Sequence, residues 1–425
     1  METPDTRTPS AASGLEQLLG SGRVRPAGPE DCVDGKTPSV VAEPSTPQEL
    51  AAVLRACNAR GLRVIPRGGG SMLGLGNPPQ GADVILSTTQ LNQVLDHAWN
   101  DMTVTVQAGC TAANLQAVLA AHGQRLAVEP LWPQRATLGG ILAAGESTPC
   151  RLRYGGLRDL IIGVTLALPD GTPAKAGGKV VKNVAGYDLM KLAVGSLGTL
   201  GVITQAVLRL HPLPQGERSV TFRLPSLHAA QTLVLAALDT NCNLTGAQVR
   251  AGLGEQCDVD FRIEGAPAAL DAQQRVVTEL APAGLSPSRP PSVWQARQDL
   301  WDREGPAVIC KCGILPSHIE ALCRIASESA KRNGAKLDIV AQGAGLAELR
   351  LGAPNPDQMS SAVGEIRAEL RALGATTVLM RAPLSVKERV EVWGDPGNAL
   401  QLMKNIKTQL DPEGVLNPHR FVGGI

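Results

Sequence analysis

The stretch that most restricts this chain is Ile65 to Pro79, IPRGGGSMLGLGNPP, which places five glycines, one serine and one arginine behind a short apolar run. Three consecutive glycines carry no Cβ, so their N–H groups are free to crowd around a ligand oxygen, as a pyrophosphate requires. A plain flexible connector has the same composition, so the loop must be weighed with the glycine clusters that follow. Two stricter phosphate signatures fail. Gly74 and Gly76 open a GxG, but Pro79 stands at the third glycine position, and no GxxxxGK[ST] occurs.

At 425 residues the chain is long enough for two domains. Its 40 basic and 39 acidic side chains nearly cancel, which removes the electrostatic case for nucleic acid or an anionic membrane. Aromatic residues make up only 2%, too few for a platform that stacks bases. No apolar run approaches a membrane span and no basic-then-apolar leader opens the chain, so a cytoplasmic protein is expected. Nine cysteines, an odd number, fit reduced thiols. Cys310 and Cys312 in VICKCGIL read as two thiols on one face of a strand. No CxxC, HxH or HExxH occurs, so no metal site or iron–sulfur cluster is expected.

In chain order, residues 1–37 are rich in Thr, Pro, Ser and Gly and predict a loose leader. Thr46-Pro47-Gln48-Glu49 reads as a capping box for a helix to about Asn58, followed by a strand from Leu62 to Ile65 that delivers the chain into the glycine loop. Strands are expected over 82–87 and 103–107, with Thr111 capping a helix that ends near Gly123. PQRATLGGILAAG, Pro133 to Gly145, is a second small-residue cluster, which close helix packing alone would also explain. Ile162, Val164, Leu166 and Leu168 alternate into Pro169-Asp170-Gly171, a strand entering a hairpin turn. Asp188 is expected to cap a short helix through Val194. Gly195, Gly198 and Gly201 then recur every third residue before a strand from Val202 to Leu210.

PRGGGS, TLGG, YGGLRDLIIGVTLALPDG and KNVAGYDL…GSLGTLGVIT, in this order over residues 38–212, resemble the vanillyl-alcohol-oxidase-type, or PCMH-type, FAD-binding family. Within it the chain is most similar to FAD-binding subunits of bacterial glycolate oxidase. The resemblance implies that Arg67, Gly68, Gly69, Gly70 and Ser71 hold the FAD pyrophosphate through their backbone. It places Pro133, Thr137, Leu138, Gly139 and Gly140 along the flavin and phosphates, and Gly145 and Ser147 near the ribityl chain. Gly198, Gly201, Val202 and Ile203 would follow the adenine half. Some members attach flavin to a histidine in the first loop; Ser71 stands there, so non-covalent FAD is implied.

From Leu213 to about residue 395 two sets of short strands and helices alternate, which predicts an antiparallel sheet with helices on one side. Ser317 and Glu320 read as the capping box of a helix to about Arg332. By the resemblance this is an α+β, ferredoxin-like cap domain, and residues 396–425 are a C-terminal segment returning to the FAD domain. The tail LDPEGVLNPHRFVGGI implies a site role for Asn417 and carries His419 where the family has glycine; His419 is a candidate base, with a packed or solvated histidine as the commoner reading. Catalytic relatives that dehydrogenate 2-hydroxy acids carry a histidine-rich metal site in the cap. The counterpart here, Ala341 to Leu351, has no histidine and no carboxylate before Glu348. Arg350 and Arg381 are candidates for binding a substrate carboxylate, with surface arginines on strands as the commoner reading; no catalytic residue is identified. The resemblance therefore implies the FAD-binding subunit of a glycolate (2-hydroxy acid) oxidase complex, beside a catalytic flavin subunit and an iron–sulfur subunit, reaching the inner face of a membrane only through them. A free-standing FAD-dependent D-2-hydroxy-acid dehydrogenase and an assembly subunit with structural FAD are the alternatives.

Overall fold

The computed structural model describes residues 8–179, 187–289 and 292–425. Part of the KVVKNVAGYDL stretch, residues 180–186, lies outside the described residues. The chain forms two compact units: Met1–Ser147 with Gly156–Pro212 and Asp395–Ile425, and Thr148–Gly155 with Leu213–Gly394. No helix among the described residues is long and apolar enough to cross a membrane.

The first unit opens with α1 (Thr8–Leu19), β1 (Val24–Pro26), β2 (Val40–Ala42), α2 (Pro47–Ala59), β3 (Val64–Arg67) and β4 (Val84–Ser87). These strands form one sheet in the order β1-β2-β4-β3. β2, β4 and β3 are parallel. Their runs of Val, Ile and Leu are continuously apolar because such strands are covered on both faces. Leu50, Val53, Leu54 and Cys57 of α2, one helical stripe, pack into the same core. The Thr46 hydroxyl accepts the Glu49 N–H at 3.1 Å, as a cap should. The other half of the box is shifted by one residue: the Glu49 carboxylate takes the Ser45 N–H at 2.8 Å and pairs with Arg23. The expectation of a loose leader is corrected from residue 8 onward. Leu15 and Leu19 of α1 are buried in the α2 core, and β1 pairs antiparallel with β2. Two leucines four apart on a short helix give enough apolar stripe to anchor a stretch whose overall composition is polar.

The second half of this unit holds β5 (Val94–Ala98), β6 (Thr103–Gln107), α3 (Ala112–Ala120), β7 (Gln124–Arg125), α4 (Leu138–Ala144), β8 (Ile161–Ala167), β9 (Pro173–Gly177), β10 (Val202–Arg209) and β11 (His211–Pro212). Five of the strands form an antiparallel sheet, β5-β6-β10-β8-β9. Thr111 caps α3 through the Asn114 N–H at 3.3 Å. Asp188 does not cap its helix: Met190–Ala193 starts from Leu189, and Asp188 instead pairs with Lys191 at 2.7 Å.

In the second unit, β12 (Gly216–Leu224), β13 (Leu244–Ala251), β14 (Cys257–Gly265), β15 (Val308–Gly313), β16 (Lys336–Gln342), β17 (Leu346–Gly352) and β18 (Thr376–Arg381) form one seven-stranded antiparallel sheet, β12-β14-β13-β16-β17-β15-β18. The last four strands, with helices Ile319–Arg332 and Pro356–Ala372, make a complete β-α-β-β-α-β motif of ferredoxin-like order. Val220, Phe222 and Leu224 face the helices in one apolar core. Thr221, between them in sequence, hydrogen-bonds the buried Asp260, which also takes Gln248 and Arg250. Cys310 and Cys312 lie fully buried in the core, and burial drives both thiols upward in pKa, Cys312 to about 11. The Ser317–Glu320 capping box is corrected. A 3-10 turn, Pro316–His318, leads into Ile319–Arg332, and Glu320 lies 3.0 Å from His228 and pairs with Arg324.

Candidate functional site

β3 ends at Arg67 and the chain enters the glycine loop. The reason for glycine there is steric. A Cβ on Gly69 would stand 1.8 Å from the Arg135 carbonyl oxygen, and one on Gly68 would stand 2.0 Å from Thr137 Oγ1. Gly70 has φ +69°, in the left-handed region. The Arg67 guanidinium turns to Asp31, donating at 2.6 Å. Asp31 has no solvent-exposed side chain and also accepts two bonds from Arg25 and one from the Gly28 N–H. Burial by itself would raise the Asp31 pKa, but these donors together hold it well below the usual carboxylate range.

The loop borders a cleft whose walls come entirely from the first unit. Pro66 to Leu73 form one wall, Thr137, Gly140, Ala143 and Ala144 the second, and Leu197, Asn417 and Arg420 the third. Among the described residues, the N–H groups of Gly68, Gly69, Gly70 and Ser71 donate to no protein oxygen. Thr137 holds the N-cap position of α4 but makes no cap bond, and its buried hydroxyl finds no partner. Asn417 Oδ1 is buried and unpartnered as well. Such groups are costly to leave dry, so they mark a place built for a ligand's hydrogen-bonding atoms. Four neighbouring donors and a hydroxyl suit an anion with several acceptor oxygens, such as a diphosphate.

The tail reaches this cleft by strand-like pairing. Val64 N–H donates to Val415 O and Asn417 N–H to Val64 O, both at 2.9 Å, so the outer edge of β3 is covered. The Asn417 side-chain amide donates to Leu197 O. Asn417 and His419 have φ +45° and +73°, in the left-handed region; glycine, the family residue at 419, fits there without strain.

Of the predicted site residues, Arg67 to Ser71, Thr137, Gly140 and Asn417 meet in this cleft. The others stand behind its walls. Leu138 and Ile203 are buried in the core beneath the second sheet, and Val202 in the core beside α2. Gly139 lets α4 approach β6, since a Cβ there would meet Ala108 at 2.7 Å. Gly198 and Gly201 face Pro66 and Leu166, and Pro133 O accepts the Ala113 N–H at 3.0 Å. Gly145 ends α4 with φ +60°, and the buried Ser147 hydroxyl is unpartnered. His419 is half-buried and does not line the cleft. Sequence reading missed Asp31, Leu73, Leu75, Leu197 and Arg420, whose roles come from partners far away in the chain.

The polar candidates of the second unit are occupied structurally. Glu348 accepts from Arg297 and from the Trp301 indole, both at 2.7 Å. Arg350 donates to the carbonyls of Arg303 and Glu304 at 3.1 and 2.9 Å, and Arg381 to Trp301 O at 2.6 Å. Both guanidinia thus place an Nη2 on backbone oxygens of the second unit. No group of three or more His, Cys, Asp or Glu positioned for a metal exists among the described residues.

The chain is similar to several known proteins. Over 197 residues, 46% of the chain, the sequence is 32% identical to the glycolate oxidase subunit GlcD of Bacillus subtilis (strain 168), and the matched stretch spans 42% of that relative, less than half its length. Over 91% of the chain it is 26% identical to the mitochondrial D-lactate dehydrogenase [cytochrome] of Arabidopsis thaliana, covering 73% of it. A solved structure of alkyldihydroxyacetonephosphate synthase superposes with a TM-score of 0.74 at 17% identity, over 98% of this chain and 86% of that one, which establishes a shared fold. Residues 38–177 match the family described as FAD binding domain.

Proposed function

We propose that this chain holds FAD non-covalently in the glycine-loop cleft and acts as an FAD-dependent oxidoreductase of the 2-hydroxy-acid type, as the FAD-carrying subunit of a glycolate oxidase-type complex. The observation that carries the reading is the set of N–H groups from Gly68 to Ser71 with no protein acceptor, which line one cleft together with the orphaned Thr137 hydroxyl. In this reading the loop N–H groups and Thr137 donate to the diphosphate oxygens, and Asn417 Oδ1 accepts from a ligand N–H or O–H. Leu73, Leu75 and Leu197 exclude water. Pro133, Leu138, Gly139, Gly145, Ser147, Gly198, Gly201, Val202 and Ile203 shape the walls and extend the site beyond the cleft. Ser71 stands where a flavin-linking histidine would be, which supports reversible binding. Bound FAD supplies a carrier able to take electrons in pairs and release them singly.

The subunit role, beside a catalytic flavin subunit and an iron–sulfur subunit, is favoured over independent turnover because Ala341 to Leu351 carries no histidine and its one carboxylate, Glu348, is held by Arg297 and Trp301. Similarity to the Arabidopsis thaliana D-lactate dehydrogenase over most of the chain favours the second reading, a free-standing D-2-hydroxy-acid dehydrogenase. The test has two parts. The purified chain is expected to release FAD on acid denaturation, and a folded chain that cannot be reconstituted with FAD defeats the cofactor reading. Dye reduction with glycolate or D-lactate is then measured for the chain alone and with its partner subunits. Negligible turnover alone and turnover in the complex supports the subunit reading; full turnover alone selects the free-standing dehydrogenase.

A further inference from the structure

The tail does more than cover β3. Its residues 417–421 clasp the far end of the glycine loop. Asn77 donates its N–H to Arg420 O at 2.9 Å and its side-chain amide to His419 O and Phe421 O, both at 3.1 Å. This contact requires Gly76, because a Cβ there would stand 2.5 Å from Arg420 O and the residue has φ +101°. From the same tail the Arg420 side chain reaches back. Its Nη2 donates to Leu73 O at 2.6 Å and Leu75 O at 2.5 Å, and the residue is only 3% exposed while lining the cleft. These two bonds go to neutral carbonyls. Burial pushes the guanidinium down to about 10, offset in part by Asp34.

We propose that Arg420 is a positioning residue of the diphosphate site: by bracing the Leu73 and Leu75 carbonyls it fixes the loop that presents the Gly68 to Ser71 N–H groups, and its charge offsets that of the diphosphate. The inference rests on the reading of the cleft as the FAD site. One guanidinium nitrogen spans the two carbonyls, and its planar fork is pre-organised to hold them, where a lysine would rely on a flexible four-carbon stem.

The test uses the full chain stripped of flavin and titrated separately with FAD, ADP and riboflavin, as wild type, Arg420→Met and Arg420→Lys. Arg420→Met is expected to weaken FAD and ADP each by about tenfold or more, the scale of a charged hydrogen-bonding group, and riboflavin by less than about twofold. Arg420→Lys is expected to recover part of the ADP affinity, which a purely structural role would not predict. Unchanged FAD affinity in Arg420→Met, or equal loss for riboflavin and ADP, overturns the inference. Should Arg420→Met not fold, Arg420→Lys carries the test: a folded variant binding ADP as tightly as wild type overturns the proposal, and a drop of about threefold or more supports it. A wild-type chain that binds FAD while Arg420→Met matches it refutes this inference alone. Wild type that binds neither FAD nor ADP refutes the FAD site as well.

Discussion

Gly69→Val tests the loop most directly. On the backbone of Gly69 a Cβ lies 1.8 Å from the Arg135 carbonyl oxygen and 2.8 Å from its carbon, whereas ordinary contact begins near 3.4 Å. About 1.6 Å must be found, and the Arg135 side cannot easily provide it. The N–H groups of Arg135 and Ala136 both bond Trp132 O at 2.8 Å, and Trp132 itself sits at φ +49° in a tight turn. The glycine loop therefore moves. The obstruction lies behind the loop and not at the ligand, so the variant acts by displacing N–H groups rather than by filling the cleft. Overpacking of this kind costs about 1–3 kcal/mol of stability. Misplacing two N–H groups that serve an ionised oxygen loses about 3 kcal/mol or more of binding, at least about a hundredfold in Kd. FAD titration by fluorescence quenching reads the second quantity, and circular dichroism with a melting curve reads the first. Gly74→Ala, where no atom lies within 4 Å of the added carbon, is the matched control and should bind FAD as wild type does. Wild-type FAD affinity in a folded Gly69→Val chain would refute the reasoning and make the loop a connector.

Two further outcomes follow from the electrostatics. Asp31, held below the usual carboxylate range, contributes stability fully above the unfolded value near pH 4 and loses it as pH falls through the folded value. Asp31→Asn should cost about 2 kcal/mol at pH 7 and flatten the acid side of a Tm-against-pH curve; an unchanged acid slope would contradict the assignment. Among the thiols, Cys32 is exposed and Cys242 half-exposed while the rest are buried, with Cys57 pushed up to about 12 and Cys257 to about 11 by desolvation. At pH 8 a thiol reagent should modify Cys32 promptly and Cys242 more slowly, as located by peptide mass mapping; rapid native labelling of Cys310 or Cys312 would show that the sheet core is not packed as described.

What could be read from the sequence was local in its physics. Thr46 and Thr111 cap their helices through a donor three residues on, and the Pro169-Asp170-Gly171 turn closes on itself, with Thr172 N–H bonded to Asp170 at 2.8 Å. The glycine loop and Thr137 were legible as a site because three clusters recurred in one order. β13 was not legible. Its Gly246, Gln248 and Arg250 interrupt any apolar alternation, and their reasons lie elsewhere: Trp294 fills the space over Gly246, and Asp260 receives both Gln248 and Arg250. Arg420 was missed for the same cause. Its acceptor Leu73 O is 347 residues away, a separation at which no periodicity or spacing rule operates.

The returning tail also dictates the order in which the molecule is finished. β3 is an edge strand until Val415 and Asn417 pair with Val64, and everything between Leu213 and Gly394 is synthesised before those residues exist. On the ribosome, the parallel sheet beside the glycine loop must therefore wait with an open edge while a whole second unit emerges, which is the circumstance in which strands find wrong partners. Closing so long a span adds only a slowly growing entropic cost to the finished fold, but it delays the step. If the cleft holds FAD as proposed, its capture becomes a late event in the life of each chain, and a translation product cut short after the second unit would carry the whole glycine loop and still lack the Asn417 and Arg420 wall of the cleft.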